Sequence, residues 1–215
     1  MNKNLDPLKT SSYDYFLPKE LIASTPVYPA DKAKLLVYNT KDNSITHTTY
    51  EYLMDYLPKN LNVFLNDTKV IKARIFGKKV TGGKTELLFN KHLFMDTYLV
   101  MIKGKVSPGT KLYFDKDLSV EVLELHENGT RTVKFFQNDK TLDFLELINI
   151  LNEIGHLPLP HYMNRDDEKK DEKDYQTLFS KNYGAVAAPT ASLHFTPELL
   201  EKLNKEHNVN YLTLH

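Results

Sequence analysis

The sequence of 215 residues predicts a multi-domain α/β protein in which a small antiparallel β-barrel domain interrupts a split α/β domain. Residues 70–136 consist of short alternating β-type runs separated by turn signals, a spacing typical of a small barrel or sandwich. Helix and strand patterns lie on both sides, and the chain closes in strand–helix–strand order, which indicates a βαβ unit. We therefore expect residues 1–68 and 142–215 to form the split domain and residues 69–141 the barrel.

Composition narrows the class of protein. Lys plus Arg and Asp plus Glu both number 28, so a site for a polyanion requires local clustering of charge. The absence of cysteine excludes disulfides, thiolate catalysis and cysteine-ligated metal centres. No apolar run approaches the length of a membrane span, and residues 1–12 lack a signal-peptide core. We expect a soluble cytoplasmic protein without a membrane partner, and the histidine spacing predicts no metal site.

The segment before the barrel contains short elements. A proline near its start predicts a short helix over residues 18–22. Strands are expected over residues 35–38 and 44–50, joined by a turn. Residues 51–57 read as a short helix, and the apolar residues 62–65 are typical of a buried strand.

Turns and one helix organise the middle of the chain. Apolar residues recur with i, i+3 spacing over residues 142–154, which predicts a helix, and Gly155 stands where a C-cap is expected. The mixed charges of residues 164–174 favour a solvated loop. Three turn signals separate the β-type runs: residues 81–84, 107–109 and 127–129.

The chemically most distinctive stretch is residues 183–200. Its small residues would let a ligand or backbone approach closely. Ser192, His194 and Thr196 follow at every second position, so they would face one side of an extended segment. Thr196 and Pro197 are typical of a helix start. The residue types alone fit both a buried strand entering a helix, with His194 a hydrogen-bonded core residue, and a ligand site.

Polar residues 66–68 follow the buried-strand candidate. In α/β proteins this position often carries ligand groups, so Asp67 is a candidate acid/base or ribose ligand, with an ordinary Asx turn as the alternative. The next residues, 69–84, contain six bases and no acid, which allows an anion-binding face for RNA phosphate. Lysines that protect solvated strand edges explain the same pattern equally well.

Together these motifs resemble one family. The blocks match in order from about Tyr13 to His215, and they read YDYFLPKELIASTP, DKAKLLVYN, FLNDTKVIKARIFGKK, TGGKTELL, GHLPLPHYM, DYQTLF and YGAVAAPTASLHFTPELL. They resemble the S-adenosylmethionine:tRNA ribosyltransferase-isomerases of queuosine biosynthesis. That resemblance implies a monomeric bacterial cytoplasmic transferase and isomerase whose α/β domain is split by a β-barrel.

The resemblance also implies the reaction. The substrate would be tRNA carrying 7-aminomethyl-7-deazaguanine at the wobble position. S-adenosylmethionine would be a co-substrate that donates its ribosyl group, with no tightly bound cofactor. Transfer and isomerisation would give epoxyqueuosine-tRNA and release adenine and methionine.

This chemistry requires a base beside the sulfonium and an acid for adenine departure. His194 is the leading candidate for the acid/base, and Asp67 is the second. The residues expected to contact the donor are Ala187, Ala188, Pro189, Thr190, Ser192 and Thr196. The residues expected to contact tRNA phosphate are Lys69, Lys72, Arg74, Lys78 and Lys79.

Two departures from the family pattern bear on activity. Family chains continue past the equivalent of residues 213–215 into an HVGxGTF segment, so the C-terminal part of the α/β domain is expected to be missing after His215. Ala30 stands where the family often has arginine, which would remove one polar contact. The alternative function is therefore a non-catalytic tRNA-binding module or an inactive fragment of the enzyme.

Overall fold

The computed structural model describes residues 6–163 and 165–214, and it begins with short helical turns and a hairpin. Strands β1 (Lys34–Asn39) and β2 (Ser44–Thr49) pair antiparallel, and a 3-10 turn leads into helix α1 (Leu53–Tyr56). These elements confirm the predicted strands and helix. Part of the predicted charge run, residue 164, and the last residue, 215, lie outside the described residues, as do residues 1–5. The 3-10 turns of this region are Thr10–Tyr13, Lys19–Leu21, Ala30–Lys32 and Tyr50–Tyr52.

The predicted buried strand is present but is buried only at one position. Strand β3 (Asn62–Asn66) is separated by Asp67 alone from strand β4 (Thr68–Val70). Leu65 is buried in an apolar cluster, whereas Phe64 is 64% exposed. The apolar residues 62–65 correctly predicted a strand, but the prediction that the strand is buried holds only for Leu65.

The middle of the chain forms a closed six-stranded antiparallel barrel, which confirms the predicted fold class. The strand order is β10, β7, β6, β5, β8 and β9, and β9 pairs with β10 to close the ring, while the two-residue β11 (Lys140–Thr141) extends β10. Glycines at the predicted turns have positive φ, for example Gly82 at +81° and Gly129 at +87°. The barrel strands are β5 (Arg74–Lys79), β6 (Lys84–His92), β7 (Thr97–Lys103), β8 (Lys111–Tyr113), β9 (Leu118–Leu125) and β10 (Thr130–Gln137).

Helix α2 (Phe144–Ile154) confirms the helix predicted over residues 142–154. Asp143 caps its start with a capping box, because its carboxylate accepts from the Glu146 N–H at 2.8 Å while the Glu146 carboxylate accepts from the Asp143 N–H at 3.0 Å. The buried face of α2 belongs to the barrel core, where Leu147 and Leu151 are fully buried. The division at residues 69 and 141 stays a prediction, and this helix, assigned to the split domain by that division, packs into the barrel core.

The C-terminal region returns to the strands that precede the barrel. Strand β12 (Asn182–Ala185) pairs in parallel with β4, and β13 (Asn208–Leu212) pairs in parallel with β3. Helix α4 (Pro197–Glu206) joins them and buries Leu199 and Leu203 against Leu65. The predicted strand–helix–strand order is present, but β12 and β13 belong to separate two-stranded sheets, with β4 and β3 respectively. The prediction of a βαβ unit within one sheet is therefore wrong. The four-residue helix α3 (Asp171–Asp174) precedes β12.

No helix within the described residues is both long and apolar enough to cross a membrane. Within the same residues, no group of three or more histidine, aspartate or glutamate side chains is arranged to hold a metal ion.

Candidate active site

Three separate segments enclose a cavity of about 430 Å³. They are residues 26–30, residues 173–178 and residues 193–197. The second overlaps the block DYQTLF and the third lies within YGAVAAPTASLHFTPELL, whereas the first falls almost wholly between two of the quoted blocks. The first and third segments touch where the 3-10 turns Ala30–Lys32 and Thr190–His194 meet. Ala30, the position at which arginine was expected, forms part of the wall. The cavity brings His194 together with groups that are far from it in sequence.

His194 is half-buried at the edge of this cavity. The ring of Tyr50 lies 5.2 Å from the imidazole, centroid to centroid, and the Tyr50 hydroxyl donates to the carbonyl of Ala191 at 3.1 Å. Burial lowers the pKa of His194 below its usual value, because a charged imidazolium is less stable away from water. Burial likewise raises the pKa of Tyr50 to about 12. The imidazole is therefore neutral at neutral pH and can accept a proton.

The backbone around His194 differs from the extended form considered for the sequence. Residues Thr190–His194 form a 3-10 turn, in which the Ser192 N–H donates to the carbonyl of Pro189 at 2.9 Å. Alternate residues therefore do not share one face. The predicted helix start is confirmed, since the Thr196 hydroxyl accepts from the Leu199 N–H at 3.3 Å and Pro197 begins α4.

Of the six residues predicted to contact the donor, Thr196 is the one that lines the cavity with His194. Ala188 is buried elsewhere, in a small apolar cluster with Val70, Leu157 and Tyr175. The other four do not line this cavity: Ala187, Pro189, Thr190 and Ser192. Their assignment to the donor stays a prediction, and the structure groups His194 with different polar residues.

Two residues that the sequence reasoning missed line the same cavity, Asp174 and Thr177. The Oδ2 atom of Asp174 and the Oγ1 atom of Thr177 are buried and have no hydrogen-bond partner among the residues that the structure describes. An unpaired buried polar atom costs about 1–3 kcal/mol, so such atoms in a cavity indicate a missing polar partner. The Asp174 carboxylate also raises the pKa of the adjacent Tyr28 hydroxyl. Both residues lie in the block DYQTLF, so the family resemblance was the sequence feature that could have indicated them.

The segment that carries Asp174 is anchored by an ion pair. Arg165 donates to both carboxylate oxygens of Asp171 at 2.6 and 2.7 Å, and the Glu168 N–H donates to the same carboxylate at 2.7 Å. Asp171 is only 3% exposed, and its pKa is lowered first by Arg165. The prediction of a solvated loop over residues 164–174 is therefore wrong at Asp171, because its countercharge lies six residues away within the run.

Asp67, the second candidate acid/base, lies outside this cavity. Its carboxylate accepts from the Thr213 hydroxyl at 2.6 Å and from the Asn182 amide at 3.1 and 3.2 Å. The Thr213 hydroxyl is the main cause of its lowered pKa, which keeps the carboxylate ionised. The Asx turn involves Asn66 instead, whose side chain accepts from the Thr68 N–H at 3.1 Å. Asp67 joins the end of β13 to the start of β12, and its catalytic role stays a prediction.

The cations predicted to contact tRNA are partly neutralised by residues that lie outside 69–84. Lys72 pairs with Glu172 at 2.9 Å, and Arg74 pairs with Glu86 at 2.8 Å. The expectation of bases without countercharges is therefore wrong for these two. The Lys69 ammonium lies 4.6 Å from the centroid of the Tyr183 ring, and Lys79 donates to a backbone carbonyl. Lys78 is exposed on the outside of the barrel.

Comparisons with known proteins agree with this organisation. A family model described as "Queuosine biosynthesis protein" matches residues 10–215. S-adenosylmethionine:tRNA ribosyltransferase-isomerases are similar to the chain: the Aliarcobacter butzleri protein is 67% identical over 98% of this chain and 62% of its own length. The Campylobacter jejuni protein (strain 81116) is 54% identical over 100% of this chain and 63% of its own length. The chain thus spans less than two thirds of these curated relatives.

One solved structure is also similar, an S-adenosylmethionine tRNA ribosyltransferase from Thermotoga maritima. It is 30% identical, the match covers 94% of this chain and 56% of that one, and the TM-score is 0.38. The resemblance drawn from the sequence blocks is confirmed by the match of the family over nearly the whole chain. This chain belongs to the queuosine biosynthesis protein family.

Proposed function

We propose that the protein transfers and isomerises the ribosyl group of S-adenosylmethionine onto 7-aminomethyl-7-deazaguanine at the tRNA wobble position. The identity of 67% over 98% of the chain to a relative named for this activity carries the proposal. The product is epoxyqueuosine-tRNA, and adenine and methionine leave. We place this reaction in the cytoplasm, in a monomer that uses S-adenosylmethionine as co-substrate and has no tightly bound cofactor.

The His194 imidazole is the base of this reaction. A positive sulfonium acidifies the neighbouring C–H of the ribosyl group, and a neutral imidazole can remove that proton. Adenine leaves with the electrons of its glycosidic bond and takes up a proton. The uncharged aminomethyl nitrogen bonds to a ribosyl carbon and loses a proton, and the electron pair left by deprotonation forms the new carbon–carbon bond of the ring. A ribosyl oxygen then displaces methionine, which leaves with the electron pair of the carbon–sulfur bond as the epoxide closes. The lowered pKa of His194 supports this role, because burial keeps the imidazole unprotonated at neutral pH.

The unpaired oxygens of Asp174 and Thr177 support binding of the donor's cationic part in the same cavity. A carboxylate stabilises a neighbouring sulfonium or ammonium group and thereby orients it towards His194. Lys173 also lines the cavity, where its ammonium can donate to the carboxylate of S-adenosylmethionine. In this arrangement the Thr196 hydroxyl continues to cap helix α4 by accepting from the Leu199 N–H. Thr196 therefore lines the cavity without a hydrogen bond to S-adenosylmethionine.

The test is adenine release from S-adenosylmethionine with tRNA that carries the 7-aminomethyl base, together with mass-spectrometric detection of epoxyqueuosine. His194→Ala is expected to lower the single-turnover rate by about 10²–10⁴-fold, the usual contribution of a general base. His126→Ala is the matched control, since His126 is hydrogen-bonded to Thr132 on the barrel and should leave the rate unchanged. A near-parental rate in a folded His194→Ala variant would refute the assignment.

The pH profile supplies an independent readout. The base must be unprotonated, so kcat/KM should rise with pH through the pKa of His194 and then level off. Because burial lowers that pKa from the usual histidine value of 6.5, the acidic limb should lie below pH 6.5. An acidic limb centred above pH 7 would contradict His194 as the base.

The alternative is a non-catalytic tRNA-binding module. It predicts tRNA affinity that falls steeply with salt and no adenine release under any condition. The ion pairs made by Lys72 and Arg74 weaken this alternative, because two of its five predicted phosphate contacts already have countercharges.

A further inference from the structure

A second concave surface, with a volume of about 520 Å³, lies on the barrel and shares no residue with the His194 cavity. We call it the barrel groove. It crosses β5, β6 and the end of β8. Its lining residues are Phe76, Gly77, Lys78, Lys84, Thr85, Tyr113, Phe114 and Asp115.

The strand register aligns cations and aromatic rings along this groove. Lys78 stands opposite Lys84 on one neighbouring strand and opposite Tyr113 on the other. Phe76 is two residues before Lys78, so both side chains point to the same face of β5. That face is the outside of the barrel, since Ile75, which precedes Phe76 and points to the opposite face, is fully buried.

Gly77 lets the chain at Tyr113 and Phe114 approach β5 closely at the groove. A Cβ atom at this position would lie 2.4 Å from the carbonyl oxygen of Tyr113 and 2.5 Å from the ring of Phe114. No side chain fits there without displacing backbone. The absence of a side chain at Gly77 therefore allows the Phe114 ring and the Tyr113 backbone to pack directly against β5 beside Phe76.

Two of the rings are exposed although they sit in a folded sheet, Phe76 at 49% and Tyr113 at 48%. The Phe76 ring also contacts two neighbouring side chains: the Arg74 guanidinium and the His156 ring each lie 5.3 Å from its centroid. Exposed rings beside cations are the combination that proteins use to bind single-stranded nucleic acid, by stacking bases and neutralising phosphates.

The acids near the groove do not cancel its positive charge. Glu86 stands opposite Phe76, but it already pairs with Arg74 at 2.8 Å and lies 3.9 Å from the Lys103 ammonium. Asp115 lines the far side, next to Phe114. Lys78 and Lys84 make no ion pair among the residues that the structure describes, so their charges are available to a ligand.

We propose that the barrel groove binds an unpaired segment of RNA, with bases stacked on Phe76 and Tyr113 and phosphates on Lys78 and Lys84. The proposal rests on the proposed function for the identity of the RNA as tRNA, and it names the surface that holds it. In this proposal Lys78 acts together with the aromatic residues of the groove. Lys72 and Arg74 do not take part, because their charges are paired with Glu172 and Glu86.

The test measures binding of a fluorescent, unmodified anticodon stem-loop RNA to the whole chain, from about 50 to 200 mM salt. Phe76→Ala and Tyr113→Ala should each weaken binding about tenfold, whereas Tyr113→Phe should bind like the parent because it keeps the ring. The double variant Lys78→Ala, Lys84→Ala should reduce the slope of log affinity against log salt by about 2.

Controls come from the same barrel. Phe94 is 71% exposed and Lys91 is exposed, and neither lines the groove, so Phe94→Ala and Lys91→Ala should not change affinity. Equal affinities for parent, Phe76→Ala and Tyr113→Ala would overturn the proposal. So would a dimer of the parent that the groove variants dissociate in sedimentation, because the groove would then bind another copy of the chain.

Adenine release separates the two proposals. Loss of RNA affinity in the groove variants supports the groove even if the parent releases no adenine, an outcome that would count against the proposed function alone. If those variants bind RNA like the parent and release adenine normally, the proposed function is supported and the proposal for the barrel groove is refuted.

Discussion

Replacing Gly155 with alanine should destabilise the protein strongly, and the reason is contact rather than backbone conformation. Gly155 ends helix α2 with φ of −86°, a value that any residue adopts, and its N–H donates to the carbonyl of Leu151 at 2.8 Å. A Cβ atom here would lie 2.2 Å from the carbonyl oxygen of Lys72 and 2.5 Å from that of Leu151. Both obstacles are backbone atoms, so rotation of a side chain cannot relieve the clash.

The size of the effect follows from the distances. Ordinary contacts of a Cβ atom begin at 3.4 Å, so the chain near Lys72 would have to move by more than 1 Å. Overpacking of a filled site costs about 1–3 kcal/mol, and two backbone obstacles put this one at about 3 kcal/mol. For a chain of this size that is a decrease in Tm of about 6–12 °C. Thermal unfolding followed by circular dichroism measures it.

Gly83→Ala is the matched control. The nearest atom to a Cβ at Gly83 is 3.8 Å away, so this substitution should change the free energy of unfolding by less than about 0.5 kcal/mol. If Gly155→Ala unfolds within a degree or two of the parent, the close approach of Lys72 to Gly155 is not a constraint on the fold. Equal destabilisation by both substitutions would show a general cost of alanine for glycine.

Two further predictions concern hydrogen-bonded carboxylates. Asp143→Ala removes the capping box of α2 and should cost about 1 kcal/mol in urea unfolding, whereas Asp143→Asn should retain most of it; equal losses would contradict capping. Asp171→Asn should cost about 1.5–3 kcal/mol at pH 7 because Arg165 loses a charged partner. The pKa of Asp171 is lowered in the folded state, so its contribution to the free energy of unfolding is full above about pH 4 and declines as pH falls through the folded pKa. A difference in free energy of unfolding between parent and variant that stays constant down to pH 3 would refute this.

Local signals in the sequence predicted most of the elements. The hydroxyl and proline at Thr196 and Pro197 predict a helix start because the cap is made within three residues, and the structure shows that bond. The i, i+3 apolar spacing of residues 142–154 likewise depends only on one face of one helix. The position of Gly155 was predicted correctly, but its reason was not, since the residue that excludes a side chain there is Lys72, far away in sequence.

The site was less predictable because its parts meet only through tertiary contacts. His194 was a candidate from its own stretch, whereas Asp174 lay inside a charge run that favours a solvated loop. Burial of Asp171 against Arg165 places α3 against the cavity, and no local pattern distinguishes that buried carboxylate from its exposed neighbours. The 3-10 turn at residues 190–194 also has no periodic signal, because five residues are too few to show one.

The role predicted for Lys72 from the sequence differs from the role that its contacts in the structure indicate. In sequence it belongs to a basic run and fits a phosphate contact. In the structure its carbonyl lies against Gly155, and its ammonium pairs at 2.9 Å with Glu172, which is 100 residues away in α3. The same residue therefore connects the end of α2 to the helix that carries Asp174. Binding of phosphate by Lys72 would have to break this ion pair, whereas Lys78 and Lys84 in the barrel groove can bind phosphate without breaking an ion pair to any residue that the structure describes. The geometry thus separates a cation that joins two helices from exposed cations whose charges are available to a ligand.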